Sequence, residues 1–202
     1  MEKILQDKKL YEWLQRVDVD VGEKAGEEGC EACGAKVHRG DYPRKPRGGL
    51  KEAVERWGKR LSWCCSREGC RKRKTPPSVR FLGRKVYVGV LVVLVAAMRH
   101  GLSEKRVVRL REALGLDRRT LSRWQQWWTE TFAQSAFWRG ARGQFRHPIA
   151  SGRLPLALVE AFGASAVPGK AQASAERREG VVKLMRFLSP ITTGSCREVA
   201  AM

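Results

Sequence analysis

The side chains of this 202-residue chain best suited to chemistry are its cysteines, at positions 30, 33, 64, 65, 70 and 196. Cys30 and Cys33 sit in the stretch GCEACGAK, as a C-x2-C turn followed directly by Gly34. Such a turn lets two thiolates reach one ion while backbone N–H groups point at the sulfurs, and glycine tolerates the tight bend. The second group lies in SWCCSREGCRKR. Zinc takes four ligands in a tetrahedron, so a second close pair beyond a loop is the expected partner of the first. Side chains of a strand alternate faces, which puts Leu61, Trp63 and Cys65 on one side and Ser62 and Cys64 on the other. The apolar side is the one expected to face the metal. The predicted ligands are therefore Cys30, Cys33, Cys65 and Cys70, with Cys64 as the alternative to Cys65, around one structural Zn2+. His38 in the intervening loop is a weaker substitute ligand, and Cys196 reads as a plain free thiol. The opening MEKILQDKKLYEWLQR has no apolar run of the secretory kind. Metal binding in a reducing cytoplasm, not disulfide formation, is thus the expected use of the thiols.

Around the cysteines lie HRGDYPRKPRGG and RKRKTPPSVRFLGRK. Proline and glycine are expected to hold these segments extended and exposed, leaving Arg44, Lys45, Arg71 and Lys72 free to contact phosphates. Contacts of that kind position a protein on nucleic acid without choosing a sequence.

A second motif follows. In LSEKRVVRLREAL, from Leu102 to Leu114, Ser103 is a suitable N-cap, and Leu102, Val107, Leu110 and Leu114 form an apolar stripe. Gly115 then breaks the helix, Leu116 is expected to turn inward, and Asp117 to cap a new basic helix with Leu121, Trp124, Trp128 and Phe132 on its apolar side. Helix, glycine turn and capped basic helix together are the pattern of a helix-turn-helix.

The run LREALGLDRRTLSRW resembles the helix-turn-helix of transposases and repressors. That resemblance implies that Arg118, Arg119, Ser122, Arg123 and Gln126 face the major groove and that Thr120 sits near the nucleic-acid backbone. Arg111 departs from the pattern, since the matching position is usually small. Taken in order, the cysteine pairs, the TPPSVRFLGRKVY arm and these helices resemble the N-terminal half of insertion-sequence transposases, over roughly Cys30 to Phe132. Members of that class continue into an RNase H-like domain with three metal-binding carboxylates. After Glu130 the acids here are Glu160, Glu176, Glu179 and Glu198, with no Asp, which leaves no such triad. An accessory or regulatory protein of a mobile element is therefore expected, and not an enzyme. Its expected partners are double-stranded DNA, a transposase or recombinase, and a second copy of the chain in a homodimer.

The elements that must position these residues follow from charge and pattern. The formal net charge is +19, from 40 Lys plus Arg against 21 Asp plus Glu. Gly34 to Lys85 carries 17 basic and 4 acidic residues, and Arg99 to Arg153 carries 12 and 4, so the excess surrounds the two motifs. A polyanionic partner follows, and a nucleoid-associated protein. The expected fold is small α+β, a zinc ribbon of short β-hairpins followed by a mainly α-helical helix-turn-helix domain. Its divisions are an acidic helix or extension over 1–28, the ribbon with basic arms over 29–84, the helical domain over 85–138 and a partly ordered tail over 139–202. Val86 to Met98 is the long apolar run, about 13 residues against the ~20 that a bilayer requires, and reads as a buried core element with no membrane span. Among the tryptophans, Trp124 and Trp128 read as core, and Trp127 as the one free to stack on a base. The alternative function is an RNA- or ribosome-associated basic zinc-ribbon protein, since such ribbons also read RNA by shape.

Overall fold

The first long helix shows how the chain begins to build its core. A computed structural model describes residues 2–44, 50–82, 86–87, 92, 94, 96, 98, 103–163 and 171–193. In it α1 spans Lys8–Glu27, and the Asp7 side chain caps it by accepting from the Lys9 N–H at 3.0 Å. Leu10, Tyr11, Leu14, Val17, Asp18, Gly22 and Ala25 are its buried residues, a stripe at spacings of three and four that fixes which face turns inward. Tyr11 ties two neighbours to this helix. Its hydroxyl donates to the Leu5 carbonyl at 3.0 Å and accepts from the Leu50 N–H at 3.3 Å.

The fold is small α+β. Short strands follow α1: β1 (Val37–Arg39), β2 (Tyr42–Pro43), then α2 (Lys51–Trp57), β3 (Lys59–Arg60), β4 (Trp63–Cys65), β5 (Arg73–Lys74), β6 (Phe81–Leu82) and β7 (Val86–Tyr87). All their pairings are antiparallel. They form a three-stranded sheet in the order β1-β4-β5 and the two-stranded ladders β2-β3 and β6-β7. In the larger sheet Val37 stands opposite Cys65 and His38 opposite Cys64, while Cys64 also faces Arg73 across the other edge.

Helices follow among the described residues. They are α3 (Glu104–Leu114), α4 (Arg118–Gln126) with a π-helical continuation over Trp127–Phe132, α5 (Ala136–Ala141), α6 (Leu156–Ala161) and α7 (Ala171–Leu188). Trp128, Phe132 and Trp138 are buried, and their rings meet those of Phe137, Phe145, Phe162 and Phe187 in a chain of tilted and edge-on contacts. Trp127 belongs to the same group, 4.9 Å from Trp128 and 5.6 Å from Phe132, so its ring is half-buried among neighbours. Of the apolar run from 86 to 98, the described positions Val92, Leu94, Ala96 and Met98 are buried, and the other side chains lie outside the described residues. Among the described residues no helix is long and apolar enough to cross a membrane.

One expectation about exposure is corrected. The TPPSVRFLGRK segment was expected to run extended along the surface with free cationic heads, but Ser78, Val79, Arg80 and Phe81 are buried. Arg80 is 1% exposed and donates from Nε to Asp18 Oδ2 at 2.7 Å, and its Nη1 and Nη2 reach the Trp57 and Lys59 carbonyls. Asp18 also accepts from Ser78 Oγ at 2.6 Å and from the Val79 N–H at 2.7 Å. A buried charge needs a counter-charge and filled hydrogen bonds, and this arginine finds both inside the protein. The described part of the stretch from 139 onward adds Leu158, Val159, Val181, Val182, Leu184, Met185 and Leu188 to the core. Its helix α7 packs on α1, with Arg178 Nη1 3.0 Å from Asp7 Oδ2.

Candidate metal centre and basic helix

Two turns bring four thiols together. In the first, the N–H groups of Cys33 and Gly34 donate to the Cys30 carbonyl at 3.3 and 2.8 Å, and Gly34 closes the turn at φ +67°. In the second, the Cys70 and Arg71 N–H groups donate to the Arg67 carbonyl at 3.2 and 3.3 Å, and the Arg67 N–H points at Cys65 Sγ at 3.4 Å. Arg71 takes the place that Gly34 holds in the first turn, with φ +43°, a left-handed conformation uncommon for a side-chain-bearing residue. The strand order then sets the turns face to face, since β1 leaves the first and pairs with β4, which enters the second.

The Sγ atoms of Cys30, Cys33, Cys65 and Cys70 all lie within 4.8 Å of one another and could hold a metal ion. Cys30 and Cys70 are 3.8 Å apart and Cys33 and Cys65 3.5 Å. Sulfurs bound at ~2.3 Å at the corners of a tetrahedron stand about 3.8 Å apart, whereas a disulfide bond measures about 2.05 Å. The spacing therefore fits one ion among four thiolates. Backbone N–H groups, Ala32 first, hold the Cys30 thiol down to about 7, and burial pushes Cys65 up to about 12. A divalent cation would offset that burial by stabilising the thiolates.

Cys64 faces away from the group, and its Sγ donates to the Arg71 carbonyl at 3.5 Å. The choice of Cys65 over Cys64 agrees with the geometry for the reason anticipated: strand alternation turns neighbouring thiols to opposite faces. His38 is exposed across from Cys64, on the side away from the cluster. Cys196 lies outside the described residues.

The sheet is anchored to α1 by a fit that sequence reasoning missed. Trp63 Nε1 donates to the Gly22 carbonyl at 2.7 Å. A Cβ on Gly26 would stand 2.5 Å from the Trp63 ring, and one on Gly22 2.7 Å from Leu61 Cδ1. Only glycine lets the strand approach so closely. A pair of glycines four residues apart inside a strongly helical stretch was the available signal. Lys74 Nζ adds a clasp, 2.7 Å from Glu28 Oε2 at the end of α1 and 3.0 Å from Glu31 Oε1 inside the first turn.

The second motif has its own local logic. Gly115 adopts φ +64° and its N–H donates to the Arg111 carbonyl at 2.8 Å, closing α3. Asp117 then caps α4, its side chain accepting from the Thr120 N–H at 2.6 Å. Leu110, Leu116 and Leu121 are buried between the helices. Arg118, Arg119, Ser122, Arg123 and Gln126 are exposed on α4. Arg118 pairs with Glu104 at 2.7 Å, and Gln126 bonds Glu130 at 2.9 Å. Thr120, expected beside the nucleic-acid backbone, is 4% exposed and packs toward the core, because its position shares the inner side of the helix with Leu121.

Of the arm residues, Arg71 and Lys72 are exposed, Arg44 is half-buried against Tyr42, and Lys45 lies outside the described residues. Compared with family models, curated proteins and solved structures, the chain matches none.

Proposed function

We propose that this chain is a zinc-stabilised DNA-binding protein associated with a mobile element, built as a zinc ribbon followed by a helix-turn-helix. The observation that carries the reading is α4: a helix entered through Gly115 and Asp117, seated by Leu121, with Arg119, Ser122 and Arg123 outward. Arg119 and Arg123 are four residues apart and share a face, and an arginine fork is the side chain best shaped to bond the edge of a guanine. Base choice therefore falls to α4, while the cations around the thiols supply phosphate contacts.

Zinc is the ion this donor set favours, because four thiolates in a tetrahedron suit it and leave no open coordination position. Its role is structural. The order of the two motifs supports the link to transposases, with the chain acting beside a transposase or recombinase.

The test is selection from random duplexes with the zinc-loaded protein, followed by binding of the preferred site. Arg119→Ala and Arg123→Ala should each cost about 1–3 kcal/mol on that site and much less on random DNA. An unchanged selectivity ratio removes the role given to α4. A preference for folded RNA over duplex DNA replaces the reading by the RNA-binding one.

A further inference from the structure

One corner of the molecule gathers more guanidinium charge than its carboxylates balance. Arg60 feels the charges of Arg80 and Arg44, and Arg44 and Arg73 share the Tyr42 ring, beside the ladder β2-β3. Asp41 is taken by Arg39 at 2.8 Å and Asp18 by Arg80 at 2.7 Å. Among the described residues no carboxylate pairs with Arg44, Arg60 or Arg73, which instead use neutral acceptors. Arg60, cross-strand from Tyr42, donates to the Pro76 carbonyl, and Arg73 Nη1 donates to the Gly40 carbonyl at 2.7 Å and to Ser62 Oγ at 3.1 Å.

The two outer arginines are drawn over one ring. The guanidinium carbon of Arg44 lies 4.4 Å from the Tyr42 centroid and that of Arg73 5.5 Å, while Arg44 Nη2 donates to the Tyr42 hydroxyl at 2.7 Å. Each guanidinium is drawn to the ring's electron-rich surface, and neither has a carboxylate to balance it. Arg44 Nε is also buried with no hydrogen-bond partner, a charged donor left unfilled at a real cost. Burial holds the Arg60 guanidinium below its ordinary value, with the Arg80 and Arg44 charges acting the same way and Asp18 and Tyr42 against it. An oxyanion at the accessible guanidinium nitrogens of Arg44 and Arg73 would supply the counter-charge that the protein does not.

We propose that Arg44 and Arg73, held on the Tyr42 ring with Arg60 across the ladder, form a phosphate-binding site. A planar fork with several donors matches phosphate oxygens in pairs, and two forks on one ring fit one phosphate or two successive phosphates of a strand. The ligand chemistry is the phosphate group, supplied by free phosphate or by a nucleic-acid backbone, and only the second source rests on the DNA reading.

The full metal-loaded chain provides the test in two arms. In the first, inorganic phosphate is exchanged for chloride at constant ionic strength while the Arg44 Nε–H resonance is followed by NMR. A saturable shift, lost in Arg73→Gln, is expected. In the second, affinity for a random duplex is measured against salt. Arg44→Gln and Arg73→Gln should each lower the salt slope by about one unit and affinity about fivefold at 0.15 M salt, whereas Lys183→Gln on α7 should change neither. Arg44→Lys keeps the charge and tests the fork, with the slope kept and phosphate affinity reduced. An Arg44 resonance indifferent to phosphate, with both slopes unchanged and duplex binding intact, overturns the site and leaves the DNA reading standing. A phosphate-dependent Arg44 shift in a protein that binds no duplex supports the site and ends the DNA reading.

Discussion

Replacing Asp18 by Asn tests the junction between α1 and the segment that follows the cysteine-bearing sheet. Asp18 is 2% exposed and accepts from Ser78 Oγ, the Val79 N–H and Arg80 Nε, so three donors converge on one carboxylate. An amide of the same shape offers one acceptor oxygen and turns an NH2 toward a donor. It also leaves the Arg80 guanidinium, 1% exposed, without a counter-charge. Breaking one side of a buried pair costs roughly 3–5 kcal/mol, a large share of the 5–15 kcal/mol that holds a typical domain folded. For a chain of this size that corresponds to a fall in Tm of roughly 6–20 °C. Urea unfolding followed by circular dichroism, with and without the substitution, measures it, and the slope m should stay constant. Asp18→Leu combined with Arg80→Met removes both charges and should recover part of the loss, giving a coupling energy well above 1 kcal/mol. An Asp18→Asn protein within 1 kcal/mol of the parent would refute the reasoning, since no buried charge could then have been stranded.

Further outcomes follow from the same geometry. Cys65→Ser should abolish stoichiometric zinc and unfold the β1-β4-β5 sheet, while Cys64→Ser should keep the full zinc content by elemental analysis, because only Cys65 faces the other three thiols. Gly26→Ala should destabilise by about 1–3 kcal/mol in thermal unfolding despite alanine's better helix propensity, the rigid Trp63 ring being 2.5 Å from the added carbon, and Gly22→Ala should cost less because Leu61 Cδ1 can swing away. Burial raises the Tyr11 hydroxyl to about 12, so its neutral form lends stability below the unfolded value near 10 that is lost as pH climbs from about 10 toward 12. Stability measured from pH 8 to 11.5 should therefore fall more steeply in the parent than in Tyr11→Phe, which at neutral pH is weaker by about 1–2 kcal/mol for its lost bonds to Leu5 and Leu50.

What could be read from the sequence was what depends on near neighbours. The cysteine spacings, the alternation that separates Cys64 from Cys65, and the Gly115 and Asp117 signals all act within a few residues, and each is matched by a turn, a strand or a cap. The rest depends on residues far apart in the chain. Arg80 read as a surface cation because its partner Asp18 stands 62 positions earlier. Gly22 and Gly26 give no sign of their purpose within the helix because Trp63, which requires them, lies beyond the intervening turns and loop. Thr120 was assigned by analogy with a pattern, and which side of α4 faces inward is settled only by the packing of Leu121 and its neighbours. Arg44 was expected as a separate surface charge, and its convergence with Arg73 on Tyr42 arises only once β2 and β5 are brought near each other.

The contact between α1 and α7 also bears on how the chain reaches this state during synthesis. Asp7 and Arg178 are 171 positions apart, so at 5–20 residues per second the ribosome needs on the order of ten to thirty seconds to deliver the partner of the first helix. Throughout that interval Leu10, Leu14 and Val17, buried in the finished fold, lack the contacts that later segments supply. The thiol turns, which need only residues up to Arg71, can form long before this. Folding is thus expected to run from the thiol turns outward, with α7 packing on α1 late.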